Sequence, residues 1–278
     1  MTDMTGVKLP ILDHGYLELV ETWGSDERIV EAARMSTGKG FQGWGPFDTG
    51  PCDTCRVKPG RCWNCSYAKE EHACHHCGGN GRTTKPGDEK LLKYLMDNHH
   101  DTPFEMAGMV IEVQAPIVVF REWHRHRTQS YNEMSARYAP LPDMNYVPTV
   151  ERCLIGGGHL TKQAGTIAGA EALTTENAEH FRDALEEFYA DAESLYRAAM
   201  SKGIPKELAR LCLPGGRYSR MRASANLRNW LAFLTLRSDR VPSGKFAQYE
   251  IRQYANGVGD LIAQVFPRTF KLFIGRAA

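Results

Sequence analysis

With 278 residues, 42% of them hydrophobic and 24% charged, the chain can bury a core and has the composition of an ordinary globular protein. A formal net charge of +1 gives no general field for DNA or an anionic membrane, so any anion site has to be built locally. No stretch approaches the roughly 20 apolar residues of a membrane span, and Met1 to Pro10 lacks the basic-then-apolar run of a secretory signal, so the expected compartment is a reducing cytoplasm.

Tyr16, Leu17, Leu19 and Val20 predict a short strand, followed by a helix capped at Ser25 or Asp26 with Ile29, Val30, Ala33 and Met35 on its apolar side. From Gly38 to Gly87 the composition turns to Gly, Pro and Cys with hardly an aliphatic residue. Such a stretch forms no core without a staple. Segment 46–87 is therefore expected to be an insert in a domain made of 1–45 and 88–278. Asp88 opens a second helix with Leu91, Leu92, Leu95 and Met96 on one side, which stops before Pro103.

Met109, Ile111 and Val113 alternate with Glu112 and Gln114 as a half-buried strand does. Pro116 suits the first position of a helix over Ile117–His124, which delivers Arg125-His126-Arg127 into a turn. Beyond a loop at Gly156-Gly157-Gly158, a long amphipathic helix is predicted from about Thr175 to Met200. Its expected buried stripe is Phe181, Leu185, Phe188, Ala192, Leu195 and Ala199, with Gly203 at its C-terminal cap. Helical patterns recur at Ala223–Leu236 and Ala247–Val265. The pattern is α+β with helices dominant, not a doubly wound sheet.

Six of the eight cysteines form three close pairs: Cys52 with Cys55, Cys62 with Cys65, and Cys74 with Cys77. In a reducing compartment such pairs favour metal over disulfides, and any two of them can close a four-cysteine zinc site. Cys74-His75-His76-Cys77-Gly78-Gly79-Asn80-Gly81 resembles a chaperone zinc knuckle. The expected role is a structural staple, because no general base for a catalytic zinc is evident. Arg56, Lys58, Arg61, Arg82 and Lys85 make the segment mildly basic, which leaves open a second reading: the insert recognises nucleic acid or a partner and the core is vestigial.

Residues 121–137 gather Arg121, Arg125, Arg127 and Arg137 with His126, Ser130, Asn132, Glu133 and Ser135. Guanidinium forks and hydroxyls suit a phosphate or pyrophosphate, and Asn132 and Glu133 suit the edge of a base or ribose. Interleaved Tyr131, Met134 and Tyr138 predict partial burial rather than a solvated face. A second cluster holds Arg210, Arg217, Arg220, Arg222, Arg228, Arg237 and Arg240, of which Arg210 and Arg237 adjoin apolar runs and are expected to be part-buried. Two separated clusters in a near-neutral chain predict an anionic small molecule held from both sides, whereas nucleic acid would want one continuous basic stripe. Cys212, within Leu211-Cys212-Leu213-Pro214, reads as a buried filler rather than a nucleophile.

Arg125-His126-Arg127, seven residues and then Ser135 resemble the signature of the flavin-dependent thymidylate synthases. Segments similar to that family appear in order at Ala32–Ser36, His100–Glu105, Glu207–Pro214 and Ala247–Arg252. The resemblance implies a central antiparallel sheet with flanking helices, in a homotetramer whose active sites combine several subunits. It implies FAD held by Ser36, His100, Thr102, Arg125, His126, Arg127, Glu133 and Asn226. Deoxyuridine monophosphate would meet Glu122, Arg125, Ser135, Ala136, Arg137, Arg210 and Arg237. NADPH would reduce the flavin and methylenetetrahydrofolate would donate the carbon. Arg237 is expected to stabilise negative charge on the base, and His126 to position the flavin or move a proton.

Four features depart from the family pattern. Glu122 stands where many relatives carry Gln, Ala232 replaces an Asn, Phe246 replaces a His, and a short extra loop occupies about Val241–Lys245. They leave room for a different pyrimidine nucleotide such as deoxycytidylate, or for hydroxymethyl transfer.

Overall fold

The computed structural model describes residues 5–51, 82–155 and 172–277. The expected zinc ligands Cys52, Cys55, Cys62, Cys65, Cys74 and Cys77 lie outside the described residues, as does the Gly156–Gly158 loop. Along the chain come β1 (Lys8–Ile11), β2 (Gly15–Trp23), α1 (Asp26–Arg34), β3 (Phe47–Pro51), β4 (Arg82–Lys85), α2 (Glu89–Asp97), β5 (Gly108–Pro116), α3 (Ile117–Trp123) and β6 (Ser130–Glu133). Then follow α4 (Val150–Leu154), α5 (Thr175–Ser201), α6 (Lys206–Ala209), β7 (Tyr218–Asn226), α7 (Leu227–Arg237), α8 (Tyr249–Val265) and α9 (Pro267–Ala277). Two compact units result, Met1–Trp23 with Ala107–Ala278, and Gly24–Met106.

The unit Gly24–Met106 is organised around a buried carboxylate. Ser25 caps α1 by accepting from the Arg28 amide at 3.3 Å, as expected. Asp88 precedes α2 without capping it through its side chain. Its carboxylate instead accepts the Gln42 amide at 2.7 Å and pairs with Arg34. Leu92, Leu95 and Met96 are buried, but Met35 is exposed, because α1 has tightened into a 3₁₀ turn by that point. β3 and β4 pair antiparallel, Phe47 against Lys85 and Pro51 against Arg82.

In the other unit the strand order is β1-β2-β5-β7-β6, antiparallel throughout. This bears out the α+β expectation. Strand β5 lies at the centre, and Met109, Ile111, Val113 and Ala115 are fully buried. Directly opposite on β7 stand Ala225, Ala223, Met221 and Ser219, and on β2 Leu19 and Leu17 face Ile111 and Val113. Helices α3, α7 and α8 pack against these strands. Trp123 stacks on Phe233 at 4.7 Å, and the Trp230 indole donates to the Met109 carbonyl at 3.1 Å. The opposite face is polar: Glu112 accepts from the Tyr16 hydroxyl at 2.8 Å and lies 3.4 Å from Arg222.

Several sequence expectations are corrected. Ala223–Asn226 is the end of a strand, not the start of a helix: Arg220 and Arg222 alternate with buried Met221 and Ala223, and Asn226 then caps α7 by accepting the Asn229 amide. Gln114 is buried rather than solvent-facing, its amide donating to the His14 carbonyl at 2.6 Å. Pro116 is the N-cap of α3 rather than its first residue.

Helix α5 has its expected length, and Gly203 takes a positive φ after its end. Yet Phe181, Phe188 and Leu195 are exposed, while Ala178, Ala192 and Tyr196 are buried. The helix is rolled by polar anchors: Arg182 donates to the Pro148 carbonyl, the Tyr189 hydroxyl to the Tyr146 carbonyl, and Glu193 lies 2.8 Å from buried Arg217. The Arg217 side chain is 1% exposed and also meets Asp143 at 3.1 Å. A buried guanidinium requires such partners, and supplying them decides which face turns in.

Gly15 permits a close approach of three segments. A Cβ there would lie 2.0 Å from the Tyr254 hydroxyl, 2.6 Å from the Ile11 carbonyl oxygen and 2.9 Å from that of Gln114. Gly15→Ala is expected to destabilise the protein by about 2 to 3 kcal/mol through overpacking. Denaturant unfolding checks this, and its effect should be less than additive with Tyr254→Phe, which removes one of the three clashes.

Candidate active site

β5 and β7 are antiparallel, with Pro116 opposite Tyr218 and Gly108 opposite Asn226. Helix α3 leaves at the Pro116 end and α7 at the Asn226 end, so the two run back over the sheet toward each other. Seven helical residues rise about 10 Å and eleven about 16 Å, against about 30 Å for a nine-residue strand. The C-terminus of α3 therefore meets the C-terminus of α7. Arg237, in the last turn of α7, places its charge where the carbonyl ends of both helices are concentrated.

The turn after α3 is fixed through its backbone. The Tyr131 hydroxyl donates to the His126 carbonyl at 2.7 Å and lies 3.2 Å from that of Trp123. Burial raises the Tyr131 pKa, so it stays a donor. The Trp123 indole donates to Gln129 at 3.0 Å, and the Asn229 amide to the Thr128 carbonyl at 3.2 Å.

At the meeting point, Arg237 Nη1 donates to Glu122 Oε2 at 2.6 Å and Arg237 Nε to His126 Nε2 at 3.1 Å. The Arg237 side chain is 17% exposed. Because Nε2 accepts from a guanidinium that is always charged, the His126 proton resides on Nδ1. Burial, reinforced by the Arg237 charge, lowers the His126 pKa from its ordinary 6.5 to about 4. At neutral pH the ring is a neutral acceptor and does not donate a proton from Nε2.

Two cavities adjoin this triad. One, of about 510 Å³, is lined by Val118, Arg121, Glu122, Arg125, Arg237 and Gln248. Its neighbour, of about 720 Å³, shares Val118 and Arg121 and adds Glu133, Ser135, Ala136 and Arg210, with Ile117, Leu141 and Leu213 among its apolar walls. Arg121, Arg125 and Arg210 make no ion pair or side-chain hydrogen bond among the described residues. Three uncompensated guanidiniums around joined hollows favour an anionic ligand.

The structure thus brings Glu122, Arg125, Glu133, Ser135, Ala136, Arg210 and Arg237 to these cavities. Arg137 rims the same stretch but pairs with Glu207 at 3.4 Å. Arg127 is exposed, and Asn226 serves as a helix cap. Ser36, His100 and Thr102 are exposed on the unit Gly24–Met106. Tyr131 and Met134 are half-buried as expected, but Arg121, Arg125, Arg127 and Tyr138 are exposed, and so is Arg210, which was expected to be part-buried. Arg121, a member of the arginine cluster expected to hold an anion, is common to both cavities, whereas Val118, one turn before it on α3, lines them without having been singled out in the sequence. Their signal was present, because 118, 121, 122 and 125 follow the spacing of one helix face. Among the described residues no group of three or more His, Cys, Asp or Glu is placed to hold a metal. The thiols of Cys52, Cys55, Cys62, Cys65, Cys74 and Cys77 are not among those residues.

An α+β scaffold presenting free guanidiniums around paired hollows defines a binder of a small phosphorylated molecule. Comparison narrows the class. The family described as thymidylate synthase complementing protein matches residues 18–268. The chain is 33% identical over 264 residues to the flavin-dependent thymidylate synthase of Wolbachia pipientis, covering 95% of this chain and 75% of that one. It is 32% identical over 267 residues to the enzyme of the same name from Thermus thermophilus, covering 95% and 77%. Among solved structures, a UMP/dUMP methylase, PolB from Streptomyces cacaoi bound with 5-Br UMP, superposes with a TM-score of 0.68 at 26% identity over 97% of each chain. The chain belongs to the thymidylate synthase complementing protein family, that of the flavin-dependent thymidylate synthases.

The buried neutral imidazole has a measurable consequence. An unfolded histidine protonates near 6.5, whereas His126 resists protonation down to about 4. Its contribution to stability is complete above pH 6.5 and is lost as pH falls through that window toward 4. Titration of the His126 ring by NMR is expected to show the low value, and Arg237→Gln should move it upward by removing the adjacent cation.

Proposed function

We infer that the protein is a methyltransferase that converts dUMP to dTMP with a flavin. The observation that carries this reading is the pair of cavities sharing Arg121, in which free guanidiniums lie beside an Arg237 held by Glu122 and His126. The unpaired cations suit a phosphate, and the held one suits the polar edge of a pyrimidine. Arg121, Arg125, Arg210 and Ser135 bind the phosphate side, with Ala136 and Arg137 at the same rim. Arg237 stabilises negative charge that develops on the base as C5 becomes nucleophilic, since a preorganised donor at low exposure needs little reorganisation. His126 positions Arg237 as a neutral acceptor.

On the sheet-bearing unit, Arg125, the exposed Arg127 and Glu133 and the amide of Asn226 suit a dinucleotide such as FAD, because unpaired guanidiniums match a pyrophosphate and polar side chains its riboses; the exposed Ser36, His100 and Thr102 of the unit Gly24–Met106 are groups of the same kind. When bound, the flavin supplies the redox chemistry of the transfer, NADPH being the reductant and methylenetetrahydrofolate the carbon donor. The chain's own contribution is orientation and charge. The Cys212 thiol, half-buried rather than the buried filler expected, is directed at the Ala209 carbonyl, 3.1 Å away, and no enzymic cysteine nucleophile enters this reading. Large apolar residues left exposed on α5, Phe181 and Phe188 among them, support an assembled form, in keeping with a homotetramer in the cytoplasm. The thiol pairs of segment 46–87 are the donor set for a structural zinc without a role in the chemistry.

A second reading, methylation of UMP, is favoured by the similarity to a methylase solved with analogues of both UMP and dUMP. Flavin absorbance of the purified protein, nucleotide-dependent NADPH oxidation and product mass over dUMP, UMP and dCMP decide the substrate. Protein that takes up no flavin and leaves every nucleotide unmethylated overturns the assignment. Arg121→Gln is expected to raise KM for dUMP by about tenfold or more, the worth of a charge-assisted hydrogen bond, with a smaller change in kcat. Metal analysis of protein purified without chelator should find at least one zinc per chain; such protein folded and free of zinc would refute the staple.

A further inference from the structure

Arg237 differs from the other arginines of the paired cavities in one respect. Arg121, Arg125 and Arg210 have no carboxylate partner among the described residues, whereas Arg237 meets Glu122 at 2.6 Å. Glu122 follows Arg121 directly and precedes Arg125 by three positions, so α3 and its following turn present two free cations and one anion to the same hollow. Glu122 does more than touch Arg237 once, because its own carbonyl oxygen lies 3.5 Å from Arg237 Nη2. Together with His126 at Nε, these contacts fix the guanidinium plane on one side. They leave further N–H groups for a ligand.

The charge matters as much as the geometry. A phosphate approaching Arg237 meets the repulsion of Glu122 and has to displace a carboxylate from a guanidinium sheltered from solvent, where screening is weaker than at the open surface. A neutral carbonyl oxygen meets a donor without that repulsion. At Arg121, Arg125 and Arg210 no paired carboxylate among the described residues stands in the way of a phosphate.

We propose that Glu122 is a positioning residue acting through Arg237, an internal anion that denies Arg237 to the phosphate and reserves its free N–H groups for the uncharged carbonyl edge of the base. Glu122 thereby sets the direction in which the nucleotide lies across the two cavities. The inference rests on the nucleotide reading given above.

The test is the affinity of flavin-loaded protein for inorganic phosphate, measured by calorimetry and by competition with dUMP. Glu122→Gln keeps an acceptor for Arg237 but removes the charge, and it is expected to bind phosphate about tenfold more tightly than the unmodified protein. The gain should vanish when Glu122→Gln is combined with Arg237→Gln, which locates the added anion at Arg237. A merely structural role for Glu122 would weaken anion binding on substitution and would not strengthen it. Phosphate affinity unchanged in Glu122→Gln, or a gain that persists without Arg237, overturns the proposal. Failure of the nucleotide reading looks different: the unmodified protein then binds phosphate but not dUMP.

Discussion

The antiparallel pairing of β5 with β7 sets the distance on which the site depends. Nine paired residues separate the points where α3 and α7 leave the sheet, and the lengths of the two helices nearly span that separation. Their C-termini are brought together over one sheet face, with Trp123 stacked on Phe233 beneath the junction. Two helix ends of the same polarity repel mildly, and a cation between them is worth up to about 1 kcal/mol; Arg237 stands at that place. A shift in the pairing of these strands would move the arginine away from its partners and reverse which side chains are buried.

Around that junction, charge is distributed unequally. The polar sheet face pairs its arginines with Glu112, and the buried Arg217 has Asp143 and Glu193. Among the described residues, the cavity rim leaves Arg121, Arg125 and Arg210 uncompensated, which is the arrangement a molecule of near-zero net charge requires to bind an anion in one place. The functional region is recognised by what its arginines lack. His126 belongs to the same economy: held neutral, it accepts from Arg237 without adding a further positive charge to the hollow.

Much of this was legible in the sequence because it followed from local pattern. The alternation from Met109 to Gln114, the capping serine before α1 and the glycine after α5 each report on one element. The Arg125–Arg137 segment was visible as chemistry, since the residue types suit an anion even when their directions are unknown. What was hidden depends on partners distant in sequence. Ala223 to Asn226 read as the start of a helix, although β5 flanks them and β6 pairs with Ala223 and Ser224. The roll of α5 was set by Arg217, whose burial no local window reveals. Glu122 read only as a departure from the family pattern, because its partner Arg237 lies 115 positions later.

The β3–β4 pair has a consequence of another kind. Pro51 and Arg82 face each other in register, so the chain departs from and returns to neighbouring points after thirty intervening positions, 52–81. The entropic penalty of joining two such points rises only with the logarithm of the span, about 0.6 kcal/mol for each doubling. Because Phe47 through Pro51 and Arg82 through Lys85 close on each other, the length of the span between them carries little entropic weight. Doubling the number of positions between Pro51 and Arg82 would therefore weaken this strand pair by only about 0.6 kcal/mol of closure entropy.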